Sequence, residues 1–270
     1  MSSLELTRPG VTARRLTLRL AIRDTAGVAK RDMLRIIRTQ QSLWMVAPQP
    51  AMMLVLFRYV VGGAIRVPGG SYTDYVVPAV FLEAVLISGM TTSIGLAEDL
   101  KSGITDRFRS LPMARSAVLA GRTLADLSRT VLSLAVMVGL GFAVGFRFHA
   151  PAASILGGLA VLVVFGFAFS WVYATIGLAT KDPETASSAA ILPFFILFFA
   201  SNAIVPITTM PRWLQSFARD QPVSVTVSAV RALLEGGPAA HYAWGSLAWS
   251  AGILLAFFAV SLTLYRKTLS

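Results

Sequence analysis

The stretch AASILGGLAVLVVFGFAFSWVYATIGLA, from Ala152 to Ala179, contains no Asp, Glu, Lys or Arg. About 20 apolar residues in a helix cross the ~30 Å hydrocarbon layer of a bilayer, so a run of this length has a membrane as its natural solvent. Five more apolar runs accompany it: Leu43 to Ile65, Tyr75 to Ala97, Ala117 to Phe146, Thr185 to about Pro206, and Tyr242 to Leu264. Only 14% of the residues are charged and 55% are hydrophobic, against about 25% charged in an ordinary soluble domain. The sequence therefore predicts an all-α integral membrane protein with six transmembrane helices in a single transmembrane domain. Residues 1–42 form a cytoplasmic or interfacial N-terminal segment, residues 43–264 hold the spans, and residues 265–270 are a cytoplasmic tail.

The formal net charge is +11, and its placement gives the orientation. One set of loops and flanks holds Arg8 through Arg38, Lys101 through Arg129, Lys181, Arg266 and Lys267; the opposite set holds Arg58, Arg66, Arg147, Arg212, Arg219 and Arg231. That is about 18 basic residues against 6, and the richer side is cytoplasmic by the positive-inside rule. Both termini fall on that side. The same rule accounts for the basic excess, and no nucleic-acid-binding motif accompanies it. With no cysteine in the chain, disulfides and thiolate chemistry are excluded. His149 and His241 stand far apart with no carboxylate cluster, which predicts no metal site. No short apolar core with a small-residue cleavage site opens the chain, so no cleaved signal peptide is expected. The segment from Val28 to Gln41 interleaves Lys30, Arg31, Arg35 and Arg38 with Val28, Leu34 and Ile37. It reads either as an amphipathic helix in the headgroup layer or as simple positive flanks.

Between the second and third runs lies AEDLKSGITDRFRSLPMARSAVLAGR, Ala97 to Arg122. Ser102 can cap a short helix, Asp106 to Arg109 put charges on its surface, and Leu111-Pro112 ends it. Ile104, Phe108 and Leu111 can face the membrane domain. Such a helix has the form of a docking element; an ordinary solvated loop is the competing reading. Within the apolar layer Glu83 stands out. A carboxylate at midplane costs about 3 kcal/mol on insertion scales, so Glu83 is either neutral or faces a cavity or partner. It could meet a cationic amphiphile on a substrate pathway, or sit near the interface with a hydrogen bond. Asn202, near the end of the fifth run, could bind backbone or substrate. Arg122, Asp126 and Arg129 share one helix face and can pair as a ladder, with structural neutralisation as the plain reading. Arg58 is expected to snorkel outward. Gly139, Gly141 and Gly145 allow close helix approach. Pro211 and Pro222 can start helices, and Gly236-Gly237 can stop one.

The block GLAEDLKSGITDRFRSLPMARSAVLAGRTLADL resembles the cytoplasmic loop and the start of the third span of bacterial type-2 ABC exporter permeases, of the daunorubicin-resistance type. NAIVPITTMPRWLQSFARDQPVSVTVSAVRALLEGG resembles the same family's segment before the last span. The resemblance runs from about Arg31 to Lys267. It implies a cytoplasmic coupling helix formed by Glu98, Asp99, Lys101, Asp106, Arg107, Phe108, Arg109, Leu111 and Pro112, docking onto a cytoplasmic ABC ATPase subunit. It implies that the N-terminal segment is an interfacial helix, and that Pro211 to Gly236 forms short re-entrant helices in the outer leaflet. The place would be the bacterial plasma (inner) membrane.

The sequence holds no G-x-x-x-x-G-K-[ST] motif, so the chain is expected to bind no nucleotide itself. ATP and Mg would sit on the partner subunit. One six-span chain would be half of the transporter, completed by a second copy or a paralogous permease, in contact with membrane lipid. The expected cargo is a hydrophobic or amphipathic compound, a drug-like molecule or a lipid. The alternative is a stand-alone secondary transporter or channel, which needs polar or broken helices at midplane.

Overall fold

The computed structural model describes residues 48–63, 65, 67, 71–102 and 115–268, giving only the helical course of residues 115–125 and 265–268. Every regular element among the described residues is helical. In chain order these are α1 (Pro48–Leu56), continued by a π turn over Phe57–Val61, then α2 (Tyr72–Lys101), α3 (Arg115–Ala143), α4 (Ala152–Thr180) and α5 (Pro183–Phe199). A 3-10 turn at Ile207–Thr209 leads to α6 (Arg212–Asp220), α7 (Pro222–Glu235) and α8 (Ala240–Thr268). Among the described residues, four stretches are long and apolar enough to cross a membrane: Tyr72–Lys101, Asp126–Ala143, Ala152–Thr180 and Ala240–Leu264. Pro183–Phe199 is apolar but shorter. The N-terminal interfacial segment and the start of the first apolar run lie outside the described residues.

The ends of the helices follow from local chemistry. Ser71 caps α2, its hydroxyl accepting from the Thr73 amide at 3.0 Å, while Asp74 in the first turn and Lys101 in the last complement the helix dipole. Asp182 caps α5 with Pro183 in its first turn. Gln221 ends α6 and begins α7: its side-chain oxygen accepts from the Val223 amide at 2.9 Å, followed by Pro222 as the first helical residue. Gly236, at φ 87°, closes α7 in the left-handed region. The helix starts expected near Pro211 and Pro222 and the stop at Gly236 are thus found. The third span is shorter than expected. It ends at Ala143 rather than Phe146, because Gly145 leaves the helix at φ 95°. Gly145 therefore makes a turn and not a packing face; Gly141 does pack, facing Val77 and Phe81 of α2. The fifth helix stops at Phe199, short of Pro206.

α2 and α4 form the centre, with α3, α5, α7 and α8 around them. Burial separates their roles: 72% of the most apolar stretch of α2 is buried, against 11% of that of α8. In hydrocarbon there is no hydrophobic force between helices, so close packing has to hold them. Here the closeness comes from glycine. A Cβ on Gly166 would collide with Val85, and one on Gly177 with the backbone carbonyl of Ser93. Gly89 of α2 returns the fit from the other side, against the ring of Tyr173. Phe165, Phe169 and Tyr173 fill the seam and are buried. Phe194 and Phe198 of α5 are also buried, whereas Phe195 and Phe199 are exposed on its other face, as a packed side and a lipid side require.

Gly177→Leu should wedge α4 from α2 and cost at least the 1–3 kcal/mol typical of overpacking. Gly139→Leu, where a side chain meets open space, should leave stability within about 0.5 kcal/mol. Thermal unfolding of the two variants in detergent checks the contrast.

Candidate functional site

At the end of the bundle that bears the charged loop, Glu98, Asp99 and Lys101 occupy the last turn of α2, with Glu98 and Lys101 exposed. Ser102 closes α2: its amide bonds to Glu98 O at 2.9 Å and its hydroxyl to Asp99 O at 3.3 Å. Asp106, Arg107, Phe108, Arg109, Leu111 and Pro112 lie outside the described residues. The Lys101 ammonium donates to Asp182 at 2.8 Å, joining the end of α2 to the α4–α5 turn. Asp182 also accepts from the Thr185 amide and hydroxyl, each at 3.1 Å. The hydrogen bond from Lys101 and those from Thr185 hold the Asp182 carboxyl at a pKa of about 2. A depressed acid contributes above its unfolded value and loses that contribution only as pH falls through the folded one. The link is therefore intact across the physiological range.

One layer deeper, Arg129 donates from one nitrogen to Asp126 at 2.9 Å and to Thr91 of α2 at 3.0 Å. The Asp126–Arg129 half of the expected ladder is formed, and it also ties α3 to α2. The helix carries Arg122 at the same end, but its side chain lies outside the described residues.

In the middle of the bundle, Glu83 is 1% exposed. One carboxyl oxygen accepts from the Gln49 amide of α1 at 3.1 Å; the other has no hydrogen-bond partner. Ser88, Thr92, and the Tyr173 hydroxyl also carry buried oxygens without partners. Several polar groups thus lie buried on α2 and α4, and α1, which bonds Glu83 through Gln49, ends in a π turn. Arg58 lies in that turn beside the exposed Tyr59. Its Nε is enclosed, and its guanidinium carbon lies 5.8 Å from the centre of the Tyr59 ring.

The far end is organised by a residue that charge counting treats as a loop marker. Arg231, on α7, is 9% exposed. Its Nε donates to Tyr75 O at 2.7 Å, and one terminal nitrogen donates to Asn202 O at 2.9 Å and Ala203 O at 2.7 Å. Its guanidinium lies 3.6 Å from the centre of the Tyr75 ring, a desolvated cation–π contact. The Tyr75 hydroxyl donates to Asn202 O at 2.8 Å, and the Tyr72 hydroxyl to Ile204 O at 3.2 Å. Asn202 is woven into the same knot: its amide nitrogen donates to Ser228 at 2.8 Å and its backbone N–H to Ser224 at 3.1 Å. Its side-chain oxygen is buried and without a hydrogen-bond partner. The signal for Arg231 in the sequence is a lone cation in the otherwise uncharged helix PVSVTVSAVRALLE before its terminal Glu235.

Residues 25–234 match the family described as ABC-2 type transporter. The chain is 35% identical over 218 residues to the daunorubicin resistance ABC transporter permease protein DrrB1 of Streptomyces coeruleorubidus, covering 81% of this chain and 77% of that one. It is 31% identical over 207 residues to the probable doxorubicin resistance ABC transporter permease protein DrrC of Mycobacterium tuberculosis, covering 76% and 74% respectively. The doxorubicin resistance ABC transporter permease protein DrrB of the same organism is 30% identical over 173 residues, covering 64% of this chain and 60% of the other.

Arg231→Met deletes three hydrogen bonds from a cation to carbonyls, of which Asn202 O keeps the Tyr75 hydroxyl. At about 1 kcal/mol for each lost bond, the loss should reach roughly 3 kcal/mol. Tyr75→Phe, which keeps the ring beneath the cation and deletes one hydrogen bond, should cost only about 1 kcal/mol. Thermal unfolding in one detergent measures both.

Proposed function

The chain belongs to the ABC-2 type transporter family, and from that premise we propose that it is the membrane half of an ATP-driven exporter for a hydrophobic or amphipathic compound. The family match over residues 25–234 carries this reading, because it takes in the charged loop and the helices on both sides of it. Those helices suit the role. α2 is the most buried span, and its last turn is exposed and bonded to the α4–α5 turn through Lys101 and Asp182. A partner ATPase seated on Glu98 to Pro112 would therefore act on two parts of the bundle at once. Arg107, Asp106 and Arg109 would be the polar contacts and Phe108 the apolar plug. The loop would face the cytoplasm of a bacterial cell, and a second copy or a paralogous permease would complete the pathway.

The relatives' names concern daunorubicin and doxorubicin resistance. For this chain the corresponding cargo class is a lipophilic drug-like molecule or a lipid. Glu83 is the acid placed to meet a cationic amphiphile. A cargo that met Glu83 would have to displace its hydrogen bond from Gln49 of α1.

Reconstitution of the chain with a candidate ABC ATPase subunit tests the proposal. Substrate-stimulated ATP hydrolysis should appear only in the complex. Arg107→Glu and Phe108→Ala should each lower that stimulation about tenfold while the permease still inserts, a loss of ~1.4 kcal/mol of coupling. Normal export by both variants with the ATPase bound would overturn the docking assignment, and transport by the permease alone would overturn the whole reading. Glu83→Gln should reduce export of a cationic amphiphile about fivefold more than that of a neutral one of equal size, the range expected from losing one charge contact.

A further inference from the structure

α6 and the start of α8 enclose a groove of about 600 Å³ lined by Arg219, Asp220, Val225, Tyr242, Ala248 and Trp249, with His241 and Gly245 completing it. That volume lies within the range of ligand sites. Three features give the groove its chemistry. Arg219 and Asp220 stand next to each other, both exposed, and neither side chain makes an ion pair or hydrogen bond among the described residues. Two aromatic side chains, Tyr242 and Trp249, line the same space, and aromatic faces attract ammonium groups. Trp249 is fixed in place, its indole N–H donating to Asp220 O at 3.0 Å. Gly245 keeps α8 close to α7: a Cβ there would approach Val225 at 3.0 Å. The Thr226 and Ser246 hydroxyls, 2.8 Å apart, pin the two helices beside it.

The surroundings set the depth of the groove. Trp213 is 77% exposed and Trp244 73%, with Phe217, Tyr242 and Trp249 also exposed around them. Tryptophan and tyrosine collect at the headgroup level of a bilayer. α6, with Arg212 and Arg219 beside Trp213 and Phe217, has the composition of a helix lying in that layer. At this depth the abundant molecule that offers an anion and a cation on one small group is a phospholipid.

We propose that this groove binds the headgroup of a zwitterionic phospholipid, its phosphate on Arg219 and its ammonium between Asp220 and the aromatic pair, with an acyl chain leaving along Ala248. A site of this kind anchors α6 and α7 to lipid beside the Arg231 knot. It does not depend on which compound is exported or on the docking of an ATPase.

Native mass spectrometry of the full-length chain, released from detergent with dioleoylphosphatidylethanolamine or dioleoylphosphatidylglycerol, reads the site directly. The unaltered protein should retain the ethanolamine lipid several-fold better. Arg219→Gln should weaken both lipids about fivefold, the contribution of one basic residue at a membrane surface. Asp220→Asn should weaken the ethanolamine lipid alone and erase the preference. Ala248→Trp, which fills the groove from an exposed position, should lower retention of both. Arg212→Gln, on the same helix but outside the groove, should change neither. Preference for the glycerol lipid, equal retention by Arg219→Gln and the unaltered protein, or an equal loss on Arg212→Gln would each overturn the proposal. A thermal midpoint measured for every variant separates loss of lipid from loss of fold: a variant that loses lipid with its midpoint unchanged supports the site.

Discussion

A guanidinium taken out of water must find compensation, and Arg231 finds it in backbone carbonyls rather than in a carboxylate. The three oxygens belong to Tyr75 in α2 and to Asn202 and Ala203 after α5. Without the arginine, Ala203 O in its non-helical chain would lose its donor and Asn202 O would keep only the Tyr75 hydroxyl. The arginine and the irregular segment after Phe199 therefore make each other tolerable. That explains how a chain can abandon helix at Ala200 inside a membrane-type domain, turn through Pro206, and still arrive at α6 and α7 in fixed positions.

The opposite end relies on weaker and more exposed bonds. Lys101 and Asp182 meet at 2.8 Å in a solvent-facing pair, and such pairs add little to stability. Their use is geometric: they keep the last turn of α2 beside the α4–α5 turn. Between the two ends, α2 and α4 touch through glycines, with Gly177 placed against the Ser93 backbone. The bundle is thus closely packed at its centre and held by enclosed hydrogen bonds at the Arg231 end, while the described residues at the opposite end include an exposed pair.

Much of this was legible in the residues. Hydropathy marks the long spans because lipid selects on composition, not on detail. Pro211, Pro222 and Gly236 announce helix ends through restrictions on φ that act within one or two residues. What failed to show depends on distant partners. Gly166 and Gly177 lie eleven positions apart, so no small-xxx-small spacing flags them, whereas Gly145 fits that spacing and proves to be a turn. Glu83 was conspicuous, but its contact with Gln49, thirty-four positions away, was not. Arg231 was misread for a definite reason. Counting basic residues treats each as a marker of water, and only the apolar character of its neighbours Val230, Ala232 and Leu233 hints that this one is inside.

α2 is unbroken from Tyr72 to Lys101, thirty residues, or about 45 Å at 1.5 Å per residue. Its one end holds the Lys101 link and its other the ring under Arg231. Both fastenings are thus carried by one continuous ladder of backbone hydrogen bonds, which lacks a donor at Pro78, three residues from the ring under Arg231.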